Sequence, residues 1–533
     1  MSRQKLGEAS LILAFGSLAG NLLQIGKLVL VTAWFGASTG ALDQYNVALN
    51  IPLAFHGVIL GAIQSSFIPV YTGHLARGER DSAQRVLAGT FSFGMILYAL
   101  LAVLLALFAE PVVRIFASTT NPESFDLTIR LFRLLLLLFM LNGVAELLAA
   151  FYNGNHRYFV PAMAPLVAIL VSIIYLVIFF KTQGVYSLVY GLILGTALQV
   201  ALLAAGTARW GNFHIATTTR FFTSEVWPIY RAMLPMGAAL LLAHANLLID
   251  VAVANRLPTG SVTILTNATR MHDVVIKLFV MSVSNALLPF LSQYAAQGRF
   301  TELRSTLALG GRLAFLCLIP AAILVACFGQ ETIAVLFQRG KFTAYDSQQV
   351  GITWAAYSLG LYFTARAIFA QRGLMARRDM HPLWVAVAIG LPINVALDIA
   401  LSRYFGVAGI ALGSGIVYAF YMVFYDWRLR QVFIHTNATK PLLSPLWKSV
   451  IAILAMAGVA VGIRSVCSLT LGLSVGSASG SQLALIPIIA LGGGLSVGTY
   501  ILLLKFLRIN EGELLLGFLG RLVCKITGRE STV

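Results

Sequence analysis

The stretch SSFIPVYTGHLARGERDSAQRVL at 65–87 and the stretch NALLPFLSQYAAQGRFTELRSTL at 285–307 read as two copies of one segment. In each, an apolar run containing a proline (Pro69, Pro289) ends in a polar turn with one glycine, and a new run follows. The match continues in order along the chain. VVRIF at 112–116 answers IAVLF at 333–337, NHRYFVPAM at 155–163 answers ARRDMHPLW at 376–384, and GVYSLVYG at 184–191 answers GVAGIALG at 406–413. Ordered matches at a constant offset of about 220 residues mark an internal repeat, which fixes architecture before any single residue is read.

The composition says what is repeated. Of 533 residues, 59% are hydrophobic and 11% charged, where a soluble domain carries about 25% charged residues. Apolar runs long enough to cross a hydrocarbon core recur from end to end, about fourteen by hydropathy and polar breaks. The fold expected is an all-α integral membrane protein. A repeat unit of about six spans, an even number, returns the chain to the side it left, so the two repeats are parallel and enclose a central cavity. The expected lobes are 1–209 and 210–430, with two further spans and a cytoplasmic tail in 431–533. The net charge of +17 points to membrane orientation rather than nucleic acid. Arg77, Arg80, Arg85, Arg299, Arg304, Arg377 and Arg378 fall on one side, against few such as Arg114, Lys181, Arg256 and Lys341 on the other. Both termini are then cytoplasmic, in a bacterial inner membrane. Cys317, Cys327, Cys467 and Cys524 lack metal-ligand spacing, and no metal or cofactor is expected.

An ionisable residue inside a span is costly and marks a candidate site. In the first span Asn21, Gln24 and Lys27 share a helix face. Asp43, Asn46 and Asn50 do so in the second, and Asn267, Arg270, Asp273 and Lys277 form a stripe in the eighth. Neighbouring spans add His56, His244, Asp250, Arg366 and Asp398. Blander readings stand beside these. Asp43 and Asp398 fall near expected span ends, where water would solvate them. Asp273 serves equally to position Arg270 or to pair with Lys277, and Glu146 is expected to pair with Arg130 or Arg133. Asp250 and Arg366 are candidates for coupling to an ion. Fixed cations suit an anion, and an arginine fork suits phosphate oxygens. Amides beside them suit sugar hydroxyls.

These residues resemble the MurJ (MviN) lipid II flippase family of the multidrug/oligosaccharidyl-lipid/polysaccharide exporter superfamily. The resemblance runs through about residues 8–430 and is carried by LFQRGKFTAYDS at 336–347, TRMHDVV around Arg270, LLPFLS at 287–292, and Trp34 to Asp43. It implies a basic cavity for the diphosphate and sugar head of a polyprenyl-linked saccharide, and a groove for its tail on the last two helices. The family's eighth-span arginine falls on Arg270 and its acidic partner on Asp273. A first-span arginine falls on Lys27, which loses the bidentate fork, and the acidic residue opening the second span is kept as Asp43. Other family cations fall on Asn21 and on His56–Gly57. The function implied is flipping, without covalent chemistry, by a protein sufficient as a monomer. Membrane lipids are its surroundings, and a membrane potential or ion gradient drives it, since no Walker loop is present. Alternatives are another lipid-linked oligosaccharide, a cation-coupled drug exporter, or a membrane glycosyltransferase. The exporter calls for a carboxylate-dominated cavity, and the transferase for paired acids in a sizeable outer loop.

Overall fold

A computed structural model describes residues 3–37, 40–117, 121–155, 157–208, 223–377, 379–433, 447–471, 485–507 and 509. Arg378 and Cys524 lie outside them. The described residues contain helix and no strand. They divide into two compact units, residues 1–263 and 264–533.

The first unit holds α1 (Arg3–Phe35), α2 (Ala41–Ala76), α3 (Arg80–Leu107), α4 (Ala109–Phe116), α5 (Pro122–Gly154), α6 (Phe159–Gln183), α7 (Tyr186–Ala208) and α8 (Trp227–Ala254). Helix α2 is its organiser, packed against α8, α5 and α3, while α6 lies on α7 and α1. Large buried rings fill the space between them: Phe67, Tyr71, Tyr98, Phe139, Phe151 and Tyr152. Helix α8, grouped by sequence with the second repeat, packs on α2 in this unit.

A ninth helix, α9 (Ser261–Val275), starts in the first unit and continues into the second as a π-helical stretch, Ile276–Met281, and α10 (Ser282–Ala296). Then come α11 (Phe300–Phe337), α12 (Ala344–Leu359), α13 (Leu361–Ala376), α14 (His381–Phe405), α15 (Val407–Phe433), α16 (Trp447–Leu471) and α17 (Leu485–Phe506). Helix α11 packs on α12 and α13, and α15 on α12, α13 and α14. The last two helices pair with each other and rest on α11, where the Tyr500 hydroxyl donates to the Leu316 carbonyl at 2.8 Å.

Helix ends fall where the repeat places them. Glycines in the left-handed region stand at 40 and 260, 78 and 298, and 184 and 406, a conformation that costs other residues about 1–2 kcal/mol. The turns they build share their bonds. After α2 the Glu79 N–H reaches the His74 carbonyl, and after α10 the Arg299 N–H reaches the Tyr294 carbonyl. In the first of these turns Arg77, then His74, hold the Glu79 carboxyl below its usual range.

Eleven helices among the described residues are long and apolar enough to cross a membrane. Helix α8, the stretch 261–296 and the stretch 344–376 are not among them. The second of these is interrupted by the π-helical stretch. The third is divided at Gly360, which lies so close to Gly415 of α15 that a Cβ would strike backbone, leaving two helices of 16 residues. Helix α12 opens on a capping box, with the Thr343 hydroxyl and the Asp346 carboxylate each accepting from the other's backbone N–H.

Candidate functional site

In the first unit Asn21 and Lys27 are half-buried on α1, with Gln24 exposed between them. The face read from helical spacing is therefore partly open. The second-span trio has a different occupation. Asp43 is 5% exposed. One carboxylate oxygen accepts from the Gly260 N–H at 2.6 Å, and the other from the Thr263 N–H and hydroxyl at 2.8 and 2.6 Å. Asn46, also buried, donates to the same hydroxyl at 3.4 Å. Asp43 thus caps the N-terminus of α9 from a neighbouring helix, satisfying N–H groups that an α-helix leaves orphaned. Solvation, the blander reading for Asp43, does not apply. Asn50, two turns further along α2, is half-buried.

The eighth-span stripe splits by burial. Asn267 is 3% exposed, while Arg270 and Asp273 are half-buried and Lys277 is exposed. Lys277 Nζ lies 3.9 Å from Asp273, and Arg270 acts on the same carboxylate from the preceding turn. Arg270, Asp273 and Lys277 make one group with an excess of positive charge. The π-helical stretch begins at Ile276, inside this group, and includes Lys277. Such stretches are rare and concentrate at functional sites.

Elsewhere the structure pairs charges the sequence left unassigned. Arg366 is 4% exposed, and its guanidinium meets Asp426 of α15 at 2.9 Å. Asp250 is buried and has partners of its own. Asp398, expected near a span end, is fully buried within α14, where Asn394 donates to it at 2.9 Å. Asp426 and Asn394 were not singled out from sequence, although each lies a helical turn or a packed neighbour from a residue that was. Glu146 does not pair with Arg130 or Arg133. Helix α5 runs unbroken, so 13 to 16 residues separate them by about 20–24 Å, and Arg130 pairs with Asp126 at 2.6 Å. His56 of α2 instead meets the Tyr98 hydroxyl of α3 at 3.0 Å. Cys317, Cys327 and Cys467 are free thiols, and no cluster of three metal-binding side chains occurs among the described residues.

Comparison with known proteins agrees with this architecture. The family model described as lipid II flippase MurJ matches residues 31–476. The probable lipid II flippase MurJ of Thermotoga maritima is 25% identical over 429 residues, covering 80% of this chain and 86% of that protein. The protein so described from Borreliella burgdorferi is 23% identical over 420 residues, 78% of this chain and 82% of that one. Among solved structures, a lipid II flippase MurJ in an inward closed conformation superposes with a TM-score of 0.74 at 20% identity, over 93% of this chain and 100% of that one. An inward-facing multidrug resistance MATE family transporter of the MOP superfamily gives 0.66 at 14% identity, over 78% and 96%. At these identities the two structures show the fold.

Proposed function

The chain belongs to the lipid II flippase MurJ family across residues 31–476, and from that premise we propose that it carries lipid II from the cytoplasmic to the periplasmic leaflet by alternating access. It is a transporter rather than an enzyme, a multi-pass protein of the bacterial inner membrane. In our reading it crosses the membrane fourteen times: the eleven apolar helices are joined by α8, 261–296 and 344–376, whose polar residues lower their hydropathy. Both termini are then cytoplasmic. The two repeats are parallel and surround the substrate's head group, and a monomer suffices.

The observation that carries the reading is the family match, with the group Arg270, Asp273 and Lys277 as its chemical counterpart. We assign the diphosphate to Arg270, Lys277 and Lys27, and sugar hydroxyls to Asn21, Gln24 and Asn50. The buried residues Asp43, Asn46 and Asn267 shape the helices that present them. An excess of cations there favours an anionic lipid over the cationic substrates of a drug exporter. A membrane potential or ion gradient supplies the energy.

Complementation tests this. In a bacterium depleted of its own flippase, the gene is expected to restore growth and periplasmic exposure of lipid II. Arg270→Ala, checked for normal insertion, is expected to lower that exposure about 10- to 100-fold and to leave growth unrestored. Failure of the well-inserted wild type would favour another lipid-linked oligosaccharide, with Asn21 and Gly57, which stand where family cations fall, as the residues to restore first.

A further inference from the structure

Helices α2 and α8 meet through a notch of small residues, and one of the two side chains it admits is polar. Gly57 and Gly61 lie one turn apart on α2. A Cβ on Gly61 would strike Leu240 of α8, and a Cβ on Gly57 would fall 2.5 Å from Nε2 and 2.6 Å from Cε1 of His244, one turn further along α8. Small residues at this spacing let two membrane helices approach closely, and Leu240 shows that an apolar side chain is enough to fill the notch. An imidazole in the same seam puts an ionisable group inside a span, which is costly and marks a functional candidate. His244 is half-buried and makes no hydrogen bond or ion pair with the described residues.

The place the ring takes points to a use. Gly57 is the counterpart of Lys277 in the second repeat, as Asn50 is of Arg270. Asn50, Leu53 and Gly57 share one face of α2. That face is open, since Asn50 is half-buried and Leu53 is 38% exposed. The first repeat therefore lacks a side chain at the position of Lys277, and the edge of the His244 ring stands where its first atoms would be. The neighbouring His56 does not take that place. Its Nδ1 meets the Tyr98 hydroxyl of α3 at 3.0 Å, and Tyr98 is buried in the core of the unit.

We propose that His244 is a binding residue for the substrate's diphosphate, supplying from α8 the hydrogen-bond donor that Gly57 cannot supply from α2. The imidazole donates through a ring N–H in its neutral and its charged form alike, and a bond to a charged phosphate oxygen is of the strong kind. One repeat thus carries a lysine on the span itself, and the other an imidazole seated on a glycine. The identity of the substrate rests on the flippase reading, whereas the anion site itself does not.

Two measurements on the full-length protein in lipid test the site: binding of inorganic diphosphate and transport of lipid II. His244→Leu repeats the Leu240–Gly61 contact, so the seam stays filled while the donor is lost. It is expected to bind diphosphate about tenfold more weakly and to move lipid II about tenfold more slowly than the wild type. His244→Gln keeps an N–H donor and is expected to recover most of both. So is His244→Ala with Gly57→Lys, which places a cation on α2 as Lys277 is placed in the second repeat. Unchanged diphosphate affinity in His244→Leu overturns the proposal, and transport lost without it would make the ring a packing element. Failure of both rescues overturns it as well. A wild type whose diphosphate binding depends on His244 yet which moves no lipid II supports the site and refutes the flippase reading.

Discussion

Residues 41–76 and 261–296 are the same span written twice. Each opens after a left-handed glycine and closes on another, Gly40 and Gly78 in one, Gly260 and Gly298 in the other. The first is a single helix of 36 residues, whereas the second is broken by the π-helical stretch Ile276–Met281. Their interiors differ at the chemically decisive positions. Asn50 stands where the second repeat has Arg270, His56 where it has Ile276, and Gly57 where it has Lys277. The ends are dictated by turn chemistry, which both copies must satisfy. The interior polar residues are free to diverge, since each needs only its own partner. Each repeat has therefore kept the shared frame and filled it with a different set of polar residues.

The largest expected effect tests that divergence directly. Arg366 and Asp426 correspond to Ala145 and Ala204 in the first repeat, so one copy holds a buried ion pair where the other is apolar. Arg366→Ala alone strands Asp426 and is expected to cost about 3–5 kcal/mol, because a buried charge then lacks its counter-ion. Arg366→Ala with Asp426→Ala reproduces the first repeat and is expected to recover most of the loss. Chemical unfolding in detergent reads both. If the double variant were as unstable as the single, the pair would matter for more than its charge balance.

Transport should separate Asn50 from Arg270 less steeply but in the same sense. Losing a charged hydrogen-bonding group costs about 1.5–3 kcal/mol and a neutral one about 0.5–1.5 kcal/mol. Arg270→Ala is therefore expected to lower the lipid II transport rate about 10- to 100-fold, and Asn50→Ala about 2- to 10-fold. Equal losses would mean that both repeats contact the substrate alike.

Much of the frame was legible because it depends on residues close together in sequence. The offset between the copies, the glycine turns, and the runs that became α1 to α7 and α14 to α17 all follow from local composition. What was hidden depends on partners distant in sequence. Nothing around Asp43 announces that it caps a helix more than two hundred positions away, and nothing around His56 reveals Tyr98. The π-helical stretch has no signature in IKLFVM, and the division at Gly360 arises from the close approach of Gly415. Arg270, Asp273 and Lys277 were visible as a group because helical spacing alone brings them together. Arg366 was visible, but its partner Asp426 was not.

Lys277 gives the smallest effect on stability and the sharpest test of the π-helical stretch. Its side chain is 59% exposed, and that of its carboxylate partner Asp273, 3.9 Å away, is 49% exposed. A pair so open contributes less than about 1 kcal/mol, so Lys277→Ala should unfold at nearly the wild-type denaturant concentration. Its counterpart Gly57 has no charge to lose, and His244 occupies the space a side chain there would need. If the broken span exists to present cations, Lys277→Ala should slow transport and weaken its response to added inorganic diphosphate while stability holds. If rate and diphosphate response both stay at wild-type values, Lys277 is a solvated surface charge, and the break in the second span serves packing rather than substrate.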